Sequence, residues 1–173
     1  MPSVNPAPNP AGGTAGDFYL HLQTKRAGKI KGESSSSGHV DDILVLGWQW
    51  GLQANAAMGS TAASERRSYS ALTIHKSVDR ATTGLMSAIV TNDEVKEARL
   101  AMCRSGGSQE EYFVVSLKGA RVESLNHSAD ANGTVRETLT IVFTKVEVTY
   151  SPQQTSGLRG GAPSFADEIH SVA

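Results

Sequence analysis

Apolar and polar residues alternate along several short segments of the chain, and this period of two constrains the fold more than any other feature. Residues 17–23, 98–102 and 113–117 each show it. Successive side chains of a β-strand point to opposite faces, so each segment is predicted to be a strand with one buried face. Turns are predicted between the segments at Gly106-Gly107, at Lys118-Gly119 and at Asn132-Gly133, a dipeptide typical of β-hairpins. About seven strands of this kind predict an antiparallel barrel or sandwich.

One segment is predicted to be helical. Its apolar residues share one face of a helix with 3.6 residues per turn: Leu85, Met86, Ile89 and Val90. Thr82 or Thr83 can cap the first turn, because a threonine hydroxyl accepts a hydrogen bond from an unpaired helical N–H group. Asn92 and Asp93 are predicted to end the helix.

The segment Ile43–Trp50 is apolar on both faces of a predicted strand. One face carries Leu44, Leu46, Trp48 and Trp50, and the other carries Ile43 and Val45. A strand with two apolar faces is covered on both sides. We expect its own core on one side and a helix or a partner subunit on the other.

Residues 134–150 form a second unusual segment. Before Thr144 the apolar residues of the alternation occupy odd-numbered positions: Leu139, Ile141 and Phe143. After Thr144 they occupy even-numbered positions: Val146, Val148 and Tyr150. At ~3.3 Å per residue such a run is far longer than an ordinary strand. We therefore predict a bend near Thr144-Lys145, with a β-bulge that turns both halves toward a core.

Composition divides the chain into three parts. Residues 1–16 are rich in Pro and Gly and are predicted to be a disordered N-terminal extension. Residues 17–150 contain the predicted β-barrel, and residues 151–173 are polar and predicted to be a loose C-terminal tail. Within the barrel, residues 52–65 are rich in Ala, Gly and Ser without any period, which indicates a long exposed loop.

Charge and hydropathy exclude several classes of protein. The chain has 16 Lys+Arg and 17 Asp+Glu, for a formal net charge of -1. A general nucleic-acid binder needs a basic face, so no nucleic-acid partner is expected. No apolar run approaches the ~18 residues of a transmembrane helix, so no membrane insertion is expected. The N-terminal residues lack the charged and apolar regions of a signal peptide.

No motif in the sequence predicts catalysis, a cofactor or a metal. The single cysteine, Cys103, excludes a disulfide within the chain. His39 with Asp41 and Asp42 is the one cluster that could serve as a metal site or a catalytic pair, but a loop site normally needs a further ligand. Glu94 and Glu97 could act as paired carboxylates or lie on an exposed face.

A charged cluster precedes the predicted helix. It consists of Lys76, Asp79 and Arg80. One interpretation is a solvated or ion-paired turn, and the other is a contact between subunits.

Three ordered segments within residues 17–150 carry a family resemblance. The first contains residues 30–34 (IKGES), His39, Asp42-Ile43 and residues 48–51 (WQWG). The second is residues 74–83 (IHKSVDRATT), and the third is residues 137–146 (ETLTIVFTKV), followed by Tyr150. In this order they resemble the haemolysin-coregulated protein (Hcp) family of type VI secretion.

The resemblance implies a fold and an assembly. The fold is mainly β, an antiparallel two-sheet β-barrel with one short flanking α-helix. Subunits form hexameric rings that stack head to tail into a tube and carry effector proteins in the lumen. A contractile sheath surrounds the tube, a spike protein lies at its tip, and contraction expels the tube. The protein is then expected in the cytoplasm before firing and afterwards in the extracellular space or a target cell, without a cleaved signal peptide.

The resemblance also assigns roles to residues. The expected subunit or ring-stacking contacts are Ile43, Val45, Trp48, Trp50, Met58, Asp79, Arg80, Val146, Val148 and Tyr150. Gln49 is expected to face the lumen and its effectors, where relatives often carry Ser. The loop 52–65 is expected to reach toward the next ring, because small residues permit close backbone approach.

Two other functions remain open on the sequence. The alternative to a tube subunit is a monomeric small-ligand or carbohydrate-binding β-barrel with an apolar pocket. The other is an enzyme that uses His39 with Asp41 or Asp42. The absence of any catalytic motif favours a protein without enzyme activity.

Overall fold

The computed structural model describes residues 16–54, 58–59, 67–104, 110–152 and 161–170. These residues form twelve strands and one helix: β1 (Asp17–Thr24), β2 (Gly28–Lys29), β3 (Ile43–Val45), β4 (Gly47–Gln49), β5 (Leu52–Ala54), β6 (Arg67–Tyr69), β7 (Leu72–Ser77), α1 (Ala81–Val90), β8 (Val95–Cys103), β9 (Glu111–Ala129), β10 (Val135–Val142), β11 (Lys145–Tyr150) and β12 (Ser164–Glu168). The predicted class, mainly β and antiparallel with one short helix, is confirmed. No helix in the described part of the chain is long and apolar enough to cross a membrane.

Two sheets share the long strand β9. Its first half pairs with β8 on one edge and with β11 on the other. From Arg121 onward it pairs with β10, which belongs to the second sheet together with β7 and β4. The first sheet continues from β8 through β1 to β2, and β3 also pairs with β1. The shared strand therefore joins both sheets around one core.

In the described part of the chain, the two sheets do not close into a continuous barrel. At the side away from β9, β3 pairs with β1 of the first sheet and β4 pairs with β7 of the second. Leu46 separates these two strands, and its N–H donates to the carbonyl oxygen of His75 at 2.8 Å. The prediction of one uninterrupted strand over Ile43–Trp50 is therefore wrong, because the chain must bend at Leu46 to pass between the sheets.

The alternation of apolar residues predicts the core well. Its fully or almost fully buried members include Leu20, Leu22, Leu72, Ile74, Ala98, Leu100, Met102, Val115, Leu117, Leu139 and Ile141. They lie on the inward faces of the paired strands and fill the space between the two sheets. Tyr19 points the other way and is nevertheless buried, because the loop over residues 31–42 covers the outside of β1 and stacks His39 on its ring at 4.2 Å.

Both β9 and the β10–β11 connection bend where they pass from one sheet to the other. Lys118-Gly119 was predicted as a turn, but β9 continues through it, with Gly119 at a φ of 53°. A Cβ atom on Gly119 would lie 2.2 Å from Oγ1 of Thr144, which sits between β10 and β11. The predicted bend near Thr144-Lys145 is thus confirmed, but the strand is interrupted there between Val142 and Lys145 and does not continue through a β-bulge. Glycine at 119 lets the two bends pack together.

The helix differs from its prediction in cap and in face. Its N-cap residue is Arg80 without a side-chain hydrogen bond, so Thr82 and Thr83 do not cap it. Instead, Asp79 accepts from the N–H of Ala81 at 2.9 Å, and the Thr82 hydroxyl accepts from the N–H of Asp79 at 3.0 Å. The buried face carries Ala81, Leu85 and Ala88, whereas Met86 and Val90 are exposed.

The two segments predicted to lack strands contain them. Leu52–Ala54 pairs with Arg67–Tyr69 in a separate two-stranded sheet, which we call the arm hairpin. Ser164–Glu168 pairs with β11, so the prediction of a loose tail over 151–173 is wrong for this strand. Three predictions fall largely outside the described residues: the extension 1–16 except Gly16, most of the loop 52–65, and the turn at Gly106-Gly107.

Candidate assembly surface

Three residues predicted to contact other subunits lie in the chain's own core. Ile43 is 0% exposed, Val45 8% and Val146 2%. Each packs among inward-facing residues of the two sheets. This corrects their predicted placement, because a side chain without exposed surface cannot present that surface to a neighbour.

Trp48 and Trp50 belong to an aromatic cluster at one end of the barrel. Trp48 stacks on Phe113, with ring centroids 6.1 Å apart. Trp50 stacks on Tyr69 at 5.8 Å and contacts Phe143 at 6.3 Å. Both tryptophans and Val148 are half-buried and pack against the core. The buried Nε1 of Trp50 has no hydrogen-bond partner among the described residues.

Two sets among the exposed apolar side chains lie at different places on the barrel. One set, which we call the bend patch, consists of Leu44 and Leu46 at the passage between β3 and β4; Leu46 is 52% exposed. The second, the helix patch, consists of Val78, Met86 and Val90, and Val90 is 85% exposed. Such sets are typical of interaction surfaces when they occur together on one face. Sequence periodicity placed Met86 and Val90 on the buried face and so missed the helix patch.

The remaining predicted contact residues are exposed or engaged in ion pairs. Met58, Gln49, Arg80 and Tyr150 are exposed. The Asp79 carboxylate lies 2.9 Å from Nζ of Lys76 and is almost covered. Asp79 therefore acts within its own chain, as the ion-paired interpretation of this cluster predicted.

Lys76 is the centre of a buried charge cluster at the other end of the barrel. Both Lys76 and Glu137 are 0% exposed, and the Lys76 ammonium donates to the Glu137 carboxylate. His127 lies 2.9 Å from the second carboxylate oxygen. Burial alone would raise the pKa of Glu137, but hydrogen bonds from Lys76, Thr82 and His127 lower it overall. The cluster fixes the start of the helix to β7 and β10.

A second network anchors the loop 31–42 to the outside of the first sheet. The ring of His39, 4% exposed, lies 3.1 Å from Asp42 through Nδ1 and 3.3 Å from Glu111 through Nε2. Asp42 also accepts from Lys29 at 2.8 Å. Burial would raise the pKa of Asp42, but Lys29, His39 and His21 lower it overall. Arg99 pairs with Glu111.

The same network resembles a catalytic arrangement but lacks access. Sγ of Cys103 lies 3.5 Å from Nε2 of His39, whose Nδ1 faces Asp42. Burial, Glu111 and Asp17 raise the pKa of the Cys103 thiol. A buried, protonated thiol is a poor nucleophile. Asp41 takes no part, and no group of three or more potential ligands among the described residues is arranged to hold a metal.

The paired carboxylates suggested by the sequence do not meet. Glu94 binds Lys25 at 2.7 Å beside the β1–β2 turn, and Glu97 lies in β8 rather than one helical turn away. The helix ends at Val90, just before the predicted Asn92 and Asp93. The Asp93 carboxylate also accepts from the N–H groups of Arg26 and Ala27 in the β1–β2 turn.

Comparison with known proteins decides the family. A family model described as "Type VI secretion system effector, Hcp" matches residues 19–150. This chain belongs to the Hcp family. A curated relative, the protein hcp1 of Pseudomonas aeruginosa, is 30% identical over 142 residues, which cover 80% of this chain and 88% of the relative.

Solved structures agree with the Hcp assignment. One described as a type six secretion system protein has a TM-score of 0.78 and 26% identity, covering 90% of this chain and 96% of the other. The secreted protein Hcp3 from Pseudomonas aeruginosa shares the fold, with a TM-score of 0.67 at 18% identity, over 91% of this chain and 100% of the other. This Hcp chain is thus a β-rich tube protein of type VI secretion.

Proposed function

We propose that this Hcp chain is the ring subunit of the inner tube of a type VI secretion system. Six copies form a ring, rings stack head to tail, and the tube carries effectors in its lumen. A contractile sheath surrounds the tube, a spike protein caps it, and contraction expels tube and effectors. The protein has a structural rather than an enzymatic role. It resides in the cytoplasm before firing and outside the producing cell afterwards, without cleavage of a signal peptide.

The observation that carries the proposal is the coexistence of a filled core with exposed apolar patches. The barrel interior is occupied by side chains such as Leu20, Leu100 and Leu139. The bend patch and the helix patch nevertheless leave large apolar side chains in solvent. A head-to-tail ring needs two different surfaces on each subunit, and these two patches supply one each.

The filled interior gives no support to a ligand-binding barrel. A site for a small ligand is typically a cavity of about 300–1,000 Å³ lined by apolar side chains. Between the two sheets of this protein, inward-facing side chains pack against one another instead. The grooves beside β12 open at the surface, where polar and charged side chains such as Lys118 and Glu168 line one of them.

Native mass spectrometry tests the ring directly. At micromolar concentration we expect a species with six times the 18.3 kDa mass of the chain. Negative-stain electron microscopy of the same sample should show annular particles. A monomer in both measurements would contradict the proposal.

The role of the arm hairpin in stacking has a separate test. Met58 is exposed beyond the paired strands of the arm. Replacing Met58 and small residues of 52–65 with Glu should leave rings intact and reduce stacking, because the new charges would be buried between rings without partners. If rings themselves fail to form, the arm lies between subunits of one ring instead.

Gln49 is proposed to face the lumen, and crosslinking from that position should capture effectors.

A further inference from the structure

The arm hairpin and the C-terminal strand β12 are neighbours that do not share a sheet. In the described part of the chain, β12 pairs with β11, and β5 pairs with β6 in a sheet of their own. A surface groove of about 520 Å³ lies between them, lined among others by Leu52, Tyr69 and Phe165. Because backbone pairing does not connect the two elements, side chains must hold their relative position.

The side chain of Asp167 connects the two sides of this groove. Asp167 on β12 accepts from the Arg67 guanidinium through both of its oxygens, with Nη2 at 2.7 Å from Oδ1. It also accepts from the Tyr69 hydroxyl at 2.6 Å. Nη2 of Arg67 reaches the carbonyl oxygen of Glu168 as well, at 3.1 Å. Paired hydrogen bonds between Arg and a carboxylate fix direction as well as distance.

Tyr69, one of the residues that bind the Asp167 side chain, also packs against aromatic residues of the barrel. Tyr69 stacks on Trp50 and meets Phe143 edge-on, with centroids 5.7 Å apart. Hydrogen bonds from Arg67 and Tyr69 hold the pKa of Asp167 well below its usual range. Its carboxylate is therefore charged at any pH at which cells live. The aromatic stack fixes one end of β6, and Asp167 fixes the side that faces β12.

We propose that Asp167 is a positioning residue that sets the angle at which the arm hairpin leaves the barrel, and hence the ability of rings to stack. The inference rests on the proposed function, because it assumes that the arm contacts the next ring. It assigns to the C-terminal strand a role that its polar sequence does not suggest. The strand acts through the hairpin and need not touch the neighbouring ring itself.

The experiment compares Asp167→Asn, Asp167→Glu and the exchanged pair Arg67→Asp with Asp167→Arg in the full-length chain. Hydrogen exchange of the β5 and β6 amides reports the arm, native mass spectrometry reports rings, and electron microscopy reports stacks. Asp167→Asn should speed exchange in the arm about tenfold, because a charge-assisted pair is lost, while rings keep their mass. The fraction of stacked rings should also fall, because an arm that leaves the barrel at another angle no longer meets the next ring. The exchanged pair should recover most of both effects, and Asp167→Glu should recover part.

Glu168→Gln is the matched control, since Glu168 is the next residue on β12 and its side chain pairs loosely with Lys145 at 3.8 Å. It should change neither arm exchange nor stacking. Unchanged arm exchange in Asp167→Asn would overturn the inference, as would normal stacking despite faster exchange. If the unmodified protein fails to form rings, the proposed function is wrong. Hydrogen exchange of the β5 and β6 amides would then still test whether Asp167 positions the arm hairpin.

Discussion

Lys76 and Glu137 carry opposite charges in a place where neither side chain reaches solvent. Removing one member of a buried ion pair leaves the other uncompensated, which costs about 3–5 kcal/mol of unfolding free energy. Lys76→Met should therefore destabilise the protein by about that amount in urea titrations at fixed protein concentration. Lys96→Met, an exposed lysine on β8, is the control and should change stability by less than about 0.5 kcal/mol.

The double variant, Lys76→Met with Glu137→Leu, tests whether the two buried charges act as a pair. Because no charge is then left buried at these positions, the double variant should be more stable than Lys76→Met alone. If the double variant is instead less stable by the sum of both single effects, the two charges do not act as a pair.

Asp42 supports the loop 31–42 in a pH-dependent manner. Its pKa is lower in the folded protein than in the unfolded chain, so its contribution to stability is present above about pH 4 and is lost as the pH falls through the folded value. Asp42→Asn should cost about 3 kcal/mol at neutral pH, where Lys29 and His39 lose their partner, and should weaken the acid dependence of unfolding.

Asp41→Asn is the control for this prediction. Asp41 has a φ of 61°, which asparagine tolerates as well as aspartate does, and its side chain stays outside the network. Thermal unfolding from pH 7 to pH 3 should match the unmodified protein. Equal acid dependence in the Asp42 and Asp41 variants would contradict the role of Asp42.

At the scale of residues, the sequence carried more information than the prediction used. Lys76 follows Leu72 and Ile74 in phase, and Glu137 precedes Leu139 in phase, so both charges could have been assigned to the interior. The burial of Tyr19 could not have been predicted, because it depends on a loop that returns across the outside of β1. Periodicity reports which face a residue occupies and not what later covers that face.

At the scale of elements, the two sheets depend on a shared corner. Gly119 in β9 and Thr144 between β10 and β11 meet there, and a Cβ at 119 would overlap the Thr144 hydroxyl. Gly119→Ala adds both a strained backbone conformation and this overlap, so we expect a loss of about 2–4 kcal/mol by denaturant unfolding. Adding Thr144→Ala should restore part of it by removing Oγ1.

Gly133→Ala separates the two causes. Gly133 has a φ of 80°, but a Cβ there would meet no atom within 4 Å. Its substitution should therefore cost about 1 kcal/mol, from the backbone alone. If Gly119→Ala costs no more than Gly133→Ala, the corner tolerates a side chain and its packing is not required.

Strands and bends were predicted where the apolar residues follow a clear pattern. They were missed where a segment with few apolar residues forms a strand only by pairing with a neighbouring strand. The bend after Thr144 was visible because the apolar phase changes there. Strand β12 was not, because Phe165 is its one large apolar side chain and β11 provides its pairing. The break at Leu46 was missed for a related reason: an apolar run contains no signal for the point at which it changes sheets.

At the scale of the whole molecule, the bend patch offers the sharpest test of assembly. Leu46 is exposed in the single chain, so Leu46→Asp should leave the fold intact, with a near-ultraviolet circular dichroism spectrum like that of the unmodified protein. If the patch lies between subunits, the new charge must be buried without a partner, and rings should give way to folded monomers in native mass spectrometry. Val142→Asp is the positional control, because Val142 is 37% exposed beyond the Ile141–Leu72 pair, at the opposite end of the β7–β10 pairing from Val78. Rings in the Leu46 variant would exclude the bend patch as a subunit contact, and loss of rings in both variants would show that the effect does not depend on position.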